Sequence, residues 1–139
     1  FSLKTSLMKN LFLVAISLVL FLGACKKTET PAPVDLSATT WTGTANVPGL
    51  SLSNKPFVLT FNADGTLGGS LTNGTSFALT GTWNLTPNST VVRLFFKLAS
   101  VSGDYVGQAT LTSNNTKMEA GVATNVTSPS ANLNFTVAK

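Results

Sequence analysis

From Thr39 to the last residue, apolar and polar positions alternate with a period of two, and no stretch carries the 3.6-residue repeat of a helix. The alternation is plainest between Ser76 and Leu85. There Phe77, Leu79, Gly81, Trp83 and Leu85 share one face, and Ala78, Thr80, Thr82 and Asn84 share the other. Farther on, Val92, Leu94, Phe96 and Leu98 oppose Arg93 and Lys97, and Leu133, Phe135 and Val137 oppose Asn132, Asn134 and Thr136. The pattern predicts eight strands: Thr39–Val47, Pro56–Asn62, Gly65–Thr72, Ser76–Leu85, Thr90–Leu98, Asp104–Ser113, Thr116–Thr124 and Ala131–Ala138. An outer face of threonine and asparagine is one that meets water.

Between these strands the connections are short. Asn62-Ala63-Asp64-Gly65 and Asn73-Gly74 are hairpin turns, because Gly and Asn accept the positive φ that such turns require. Thr86-Pro87-Asn88-Ser89 and Ser113-Asn114-Asn115 are nearly as tight. Sequence neighbours must then pair antiparallel. Eight meandering strands with one dry face close into a barrel, which leaves no free edge. A two-sheet sandwich is the alternative, but its crossovers need longer connections than most of these.

The same phase assigns the interior. Trp41, Val47, Phe57, Leu59, Phe61, Leu67, Leu71, Phe77, Leu79 and Trp83 are expected inside from the first four strands. Val92, Leu94, Phe96, Tyr105, Leu111, Met118, Val122, Leu133, Phe135 and Val137 are expected from the last four. Trp41 and Trp83 fall in the half of the barrel where the chain enters, as packing residues first. Small residues at mid-strand (Gly43, Ala45, Gly69, Gly107, Ala109, Ala120) are also phased inward.

Ahead of the strands the pattern changes. Met8 to Cys25 combines a positive start at Lys9, an apolar run from Leu11 to Leu22, and small residues before a cysteine. These are the parts of a secretory signal, and Phe1 to Leu7 read as an upstream extension or misplaced start. Leu11 to Ala24 is fourteen residues, short of the ~20 needed to cross a bilayer. Leu22-Gly23-Ala24-Cys25 resembles the lipobox of bacterial lipoproteins. The resemblance implies loss of residues 1–24, a diacylglycerol thioether on Cys25, and a place on the bacterial cell envelope, the outer membrane ahead of the inner. Residues 25–38 then form a polar, proline-bearing tether, with Leu36 the first residue expected to touch the domain, and 39–139 the barrel.

Removal of the signal leaves 115 residues, room for one small domain. Its seven cations and five carboxylates give +2, and Lys26 and Lys27 beside the lipidation site account for that excess. No basic patch interleaved with aromatics appears, which argues against nucleic acid. Cys25 is the only cysteine, so no disulfide is available and stability rests on a packed core. Histidine is absent, which removes the commonest general base and metal ligand.

Phe61-Asn62-Ala63-Asp64-Gly65-Thr66 and Gly81-Thr82-Trp83 resemble the F-x-x-D-G-T … G-x-W pattern of lipocalin-like lipoproteins, many of them from Bacteroidota. Thr39-Thr40-Trp41 stands where those proteins usually carry Gly-Thr-Trp. The resemblance implies a calycin-type barrel, as in lipocalins and streptavidin, and brings no ligand residues with it. Six Asn-x-Ser/Thr sequons, at Asn73, Asn84, Asn88, Asn114, Asn125 and Asn134, read beside a bacterial lipobox as by-products of an Asn/Thr-rich surface.

Candidate chemistry is sparse. The carboxylates after Ala24 are Glu29, Asp35, Asp64, Asp104 and Glu119. Glu29 and Asp35 lie in the tether, Asp64 lies in a turn, and Asp104 and Glu119 have no second carboxylate placed to form an acid/base pair. Phosphate loop, metal-ligand spacing and nucleophile elbow are all missing, so the chain is read as no enzyme and without a cofactor. Two functions survive. In one, the barrel takes a small apolar ligand at the rim of longer connections (Pro48–Lys55, Ala99–Gly103, Asn125–Ser130), lined by Val47, Leu50, Leu52, Phe57, Leu71, Phe77, Leu98 and Tyr105. In the other, the barrel is filled and its outer surface meets an envelope protein.

Overall fold

The computed structural model describes residues 33–112 and 114–139. Met8 to Cys25, with Leu22, Gly23, Ala24 and the lipidation site Cys25, lies outside the described residues. The strands are β1 (Thr39–Val47), β2 (Leu52–Phe61), β3 (Thr66–Asn73), β4 (Thr75–Leu85), β5 (Val91–Leu98), β6 (Asp104–Thr112), β7 (Lys117–Asn125) and β8 (Leu133–Ala138). Each pairs antiparallel with the next, and β8 returns to β1, giving a closed up-and-down barrel. The expected fold is the observed one. Tight turns force neighbours together, and closure satisfies the backbone groups of both edge strands.

The chain enters β1 at the first end of the barrel, where the β2–β3, β4–β5 and β6–β7 turns also lie. Leu36 is 1% exposed and Val34 packs against the core, so packing begins inside the segment expected to be tether. Trp41 is fully buried and donates its indole N–H to Thr39 Oγ1 at 2.9 Å. The Phe61 ring stands edge-on to Trp41 at 6.3 Å and to Trp83 at 5.4 Å. Trp83 also binds the β2–β3 turn, its backbone N–H to the Gly65 carbonyl at 3.0 Å and its indole N–H to the Asn62 carbonyl at 3.1 Å. Gly65 holds the turn at φ +82°, and Asp64 accepts from the Thr66 N–H at 2.9 Å and hydroxyl at 2.6 Å. The F-x-x-D-G-T and G-x-W segments are therefore one structural staple that closes this end.

Two bulges shift the expected phase. In the pairing of β1 with β2, Ala45 faces Lys55 while Val47 faces Leu52, so β2 carries an extra residue there. Asn54 takes φ +49°, and its N–H donates to Asn46 Oδ1 at 2.8 Å. This bulge extends β2 back to Leu52, and the loop expected from Pro48 to Lys55 shrinks to a 3-10 turn, Pro48–Leu50, and Ser51.

The second bulge lies in β7, where Met118 and Gly121 face Val137 and Phe135 of β8. Ala120, at φ +49°, is the extra residue. A one-residue insertion flips every side chain beyond it to the other face. Ala120 and Val122, both expected inward, are exposed; Gly121 and Ala123 take the interior instead. Elsewhere the phase holds, with Leu94 and Phe96 buried and Arg93 and Lys97 in solvent.

Candidate functional site

The second end of the barrel carries the β1–β2, β3–β4, β5–β6 and β7–β8 connections and the residues expected to line a mouth. Val47, Phe57 and Tyr105 are fully buried, Leu71 is 1% exposed and Leu98 2%. Phe77 and Leu52 are half-buried and pack against that core. Leu50 points away and is 46% exposed. The expected set thus divides: five in the core, two at its margin, one on the surface.

Aromatic rings occupy the space between them. Phe57 and Phe135 meet at 5.2 Å between centroids, and Phe96 stacks on Tyr105 at 5.0 Å with their planes 3° apart. The mid-strand glycines do not leave this volume open. A Cβ on Gly121 would fall 2.5 Å from the Phe135 ring, and one on Gly69 would overlap the Val58 carbonyl of the next strand. Backbone and ring atoms sit where side chains would otherwise project.

The connections then cross over the same end. Gly49, in the turn after β1, lies against Ser130 so closely that a Cβ would overlap the Ser130 carbonyl. Ala131, in the 3-10 turn Pro129–Ala131 before β8, is 4% exposed. Asn125 fastens these segments from a fully buried position. Its Nδ2 donates to the Ser102 carbonyl at 2.9 Å, and its Oδ1 accepts from the N–H groups of Thr127 at 3.0 Å and Ser128 at 2.8 Å. Its own N–H donates to Asn132 Oδ1 at 3.0 Å. The sequence presents Asn125 as a sequon and as the first residue of a longer connection, with no sign of burial. A lone Asn at a strand end followed by Thr and Ser was the available sign of a side chain capping its own loop.

The described carboxylates are all engaged. Asp104 pairs with Lys97 at 3.2 Å and Glu119 with Lys117 at 2.5 Å. The Thr66 hydroxyl and N–H hold the Asp64 carboxyl below its ordinary value, and the Ser37 N–H does the same for Asp35. Hydrogen bonds to the charged form are the cause in both. Among the described residues no group of three His, Cys, Asp or Glu side chains is placed to hold a metal ion.

The apolar surface that remains lies outside the barrel. Phe95, Val106 and Val122 are 46%, 49% and 46% exposed on adjacent strands β5, β6 and β7. Phe95 and Val106 were legible as apolar residues in the outward phase of their strands, whereas Val122 depends on the bulge.

Compared with family models, curated proteins and solved structures, the chain matches none. The closed eight-stranded antiparallel barrel is compatible with a lipocalin-like barrel.

Proposed function

We propose that the chain is a lipoprotein of the bacterial envelope, anchored through Cys25, that works by its outer surface and not by catalysis or by carrying a ligand inside. The anchor rests on the lipobox-like residues 22–25 behind a signal-like apolar run. The observation that carries the second half is the filled interior. Five of the eight residues that would line a mouth are 0–2% exposed, and Asn125 ties the loops across them. An eight-stranded barrel is just wide enough for its own side chains or for one small ligand, and here the side chains supply the filling.

Two measurements test the halves separately. Cys25→Ala is expected to move the protein from the membrane fraction to the soluble one; undiminished retention defeats the anchor. An apolar fluorescent probe is expected to respond identically to the protein and to its Leu50→Ser/Leu52→Ser double variant. A signal lost with those two leucines would restore the reading of a small apolar ligand at the mouth.

A further inference from the structure

The outer face of β4 to β7 differs from the rest of the barrel wall. Register places Asn84, Arg93, Gln108 and Val122 in one row across four strands. Phe95 and Val106 lead the neighbouring row, directly paired with each other. Phe95, Val106 and Val122 form a contiguous apolar floor over three strands, about 10 Å wide at ~4.8 Å per strand, in a shallow groove that Arg93 and Gln108 also line. Val122 belongs to this floor only because the β7 bulge turns it outward. Bulges re-aim side chains in this way beside functional surfaces.

Charge defines what the groove can accept. Arg93 is the single arginine of the chain, is exposed, and lies within ion-pair distance of none of the described carboxylates. Among the described residues no carboxylate lines this groove. An aromatic, two branched aliphatics and an arginine, framed by amides and free of acids, is the composition of a protein-interface core. A second copy docking by this same face would bring Arg93 against an acid-free lining, which disfavours a two-fold pair through this surface. The three apolar side chains are half-exposed, not protruding, and one free cation is a poor lipid anchor. The closed barrel has no edge to which a strand could add, so a partner must be read by side chains.

We propose that this groove docks a segment of a partner protein that offers apolar side chains to Phe95, Val106 and Val122 and a carboxylate to Arg93. The proposal rests on the outer-surface reading above and gives that surface a place and a partner chemistry. A guanidinium–carboxylate pair beside an apolar floor supplies orientation, and the floor supplies the buried area.

The test uses residues 25–139 produced without the signal, so that the unlipidated Cys25 thiol couples the chain to a support, to select from a library of random-sequence peptides. The expected result is enrichment of peptides with Asp or Glu next to apolar residues. Their affinity should fall about tenfold or more with Arg93→Gln and with Phe95→Ser, as for hot-spot residues. Thr42→Ala and Thr136→Ala, exposed on β1 and β8 outside the groove, should leave it unchanged. Arg93→Glu should redirect selection toward Lys- or Arg-bearing peptides. Thermal melting checks that each variant folds, and Val122→Thr replaces Phe95→Ser should the latter fail to fold. No enrichment, enrichment without acidic residues, or indifference to Arg93→Gln overturns the proposal. So does Arg93-dependent binding of cell-wall oligosaccharides or of phosphatidylglycerol vesicles in parallel runs. A ligand found inside the barrel would defeat the filled-barrel reading without changing the peptide result, so the two failures stay distinct.

Discussion

Asn125 and Tyr105 face each other across β6 and β7 and represent opposite treatments of a buried polar group. The Asn125 side chain is held by backbone partners in two loops, and its N–H by the Asn132 side chain. Replacing it by Ala leaves the Ser102 carbonyl and two loop N–H groups to find water. The expected cost is about 2–3 kcal/mol, the scale of orphaned buried groups, read as a lower denaturation midpoint with an unchanged slope. A loss under about 0.5 kcal/mol would mean that the loops hold without it. Tyr105 is the converse: its hydroxyl is buried with no hydrogen-bond partner among the described residues. Tyr105→Phe keeps the ring stacked on Phe96 and removes a desolvated oxygen, so stability should hold or rise by about 1 kcal/mol. In a domain of this size that is about 4–8 °C in Tm. A drop of similar size would show that the hydroxyl is bridged by buried water.

At the level of strands and turns, the sequence was legible wherever alternation ran unbroken. β5 and β8 place every residue as their period predicts, and the Asn-Ala-Asp-Gly turn forms where positive φ was foreseen. Both bulges escaped: Ala120 is a residue that seldom takes positive φ, and Asn54, which takes it readily, fell in a stretch expected to be loop. Each then propagated: one bulge converted a presumed loop into strand, the other turned Val122 inside out. The mouth was misjudged for a related reason. Inward glycines such as Gly69 suggest free volume, but a sequence does not say whether the neighbouring backbone will move into it, and Gly121, which meets the Phe135 ring, was phased outward. Ala120 also makes the bulge testable. An alanine at positive φ costs about 1–2 kcal/mol, and glycine's extra chain entropy returns roughly 0.5–1 kcal/mol of that. Since Ala120 is exposed and loses little packing, Ala120→Gly should stabilise by up to about 1 kcal/mol. Destabilisation by chemical denaturation would argue that the bulge lies elsewhere.

For the molecule as a whole, the two ends of the barrel are built differently but reach the same outcome. Leu36, Trp41, Phe61 and Trp83 close the end where the chain enters, and latched loops close the other over stacked rings. A wall closed on itself and filled within leaves the exterior as the place to act. There the β4–β7 groove, with its apolar floor and lone arginine, stands out from a surface otherwise dominated by threonine and asparagine. The central claim, that the barrel is filled by its own side chains, has a direct measurement. Mature protein, purified from its own membranes, is extracted with organic solvent and also weighed intact under native conditions by mass spectrometry. The account predicts the mass of the lipidated polypeptide alone, with nothing further released by solvent. A small apolar molecule recovered in one-to-one ratio with the protein would contradict it.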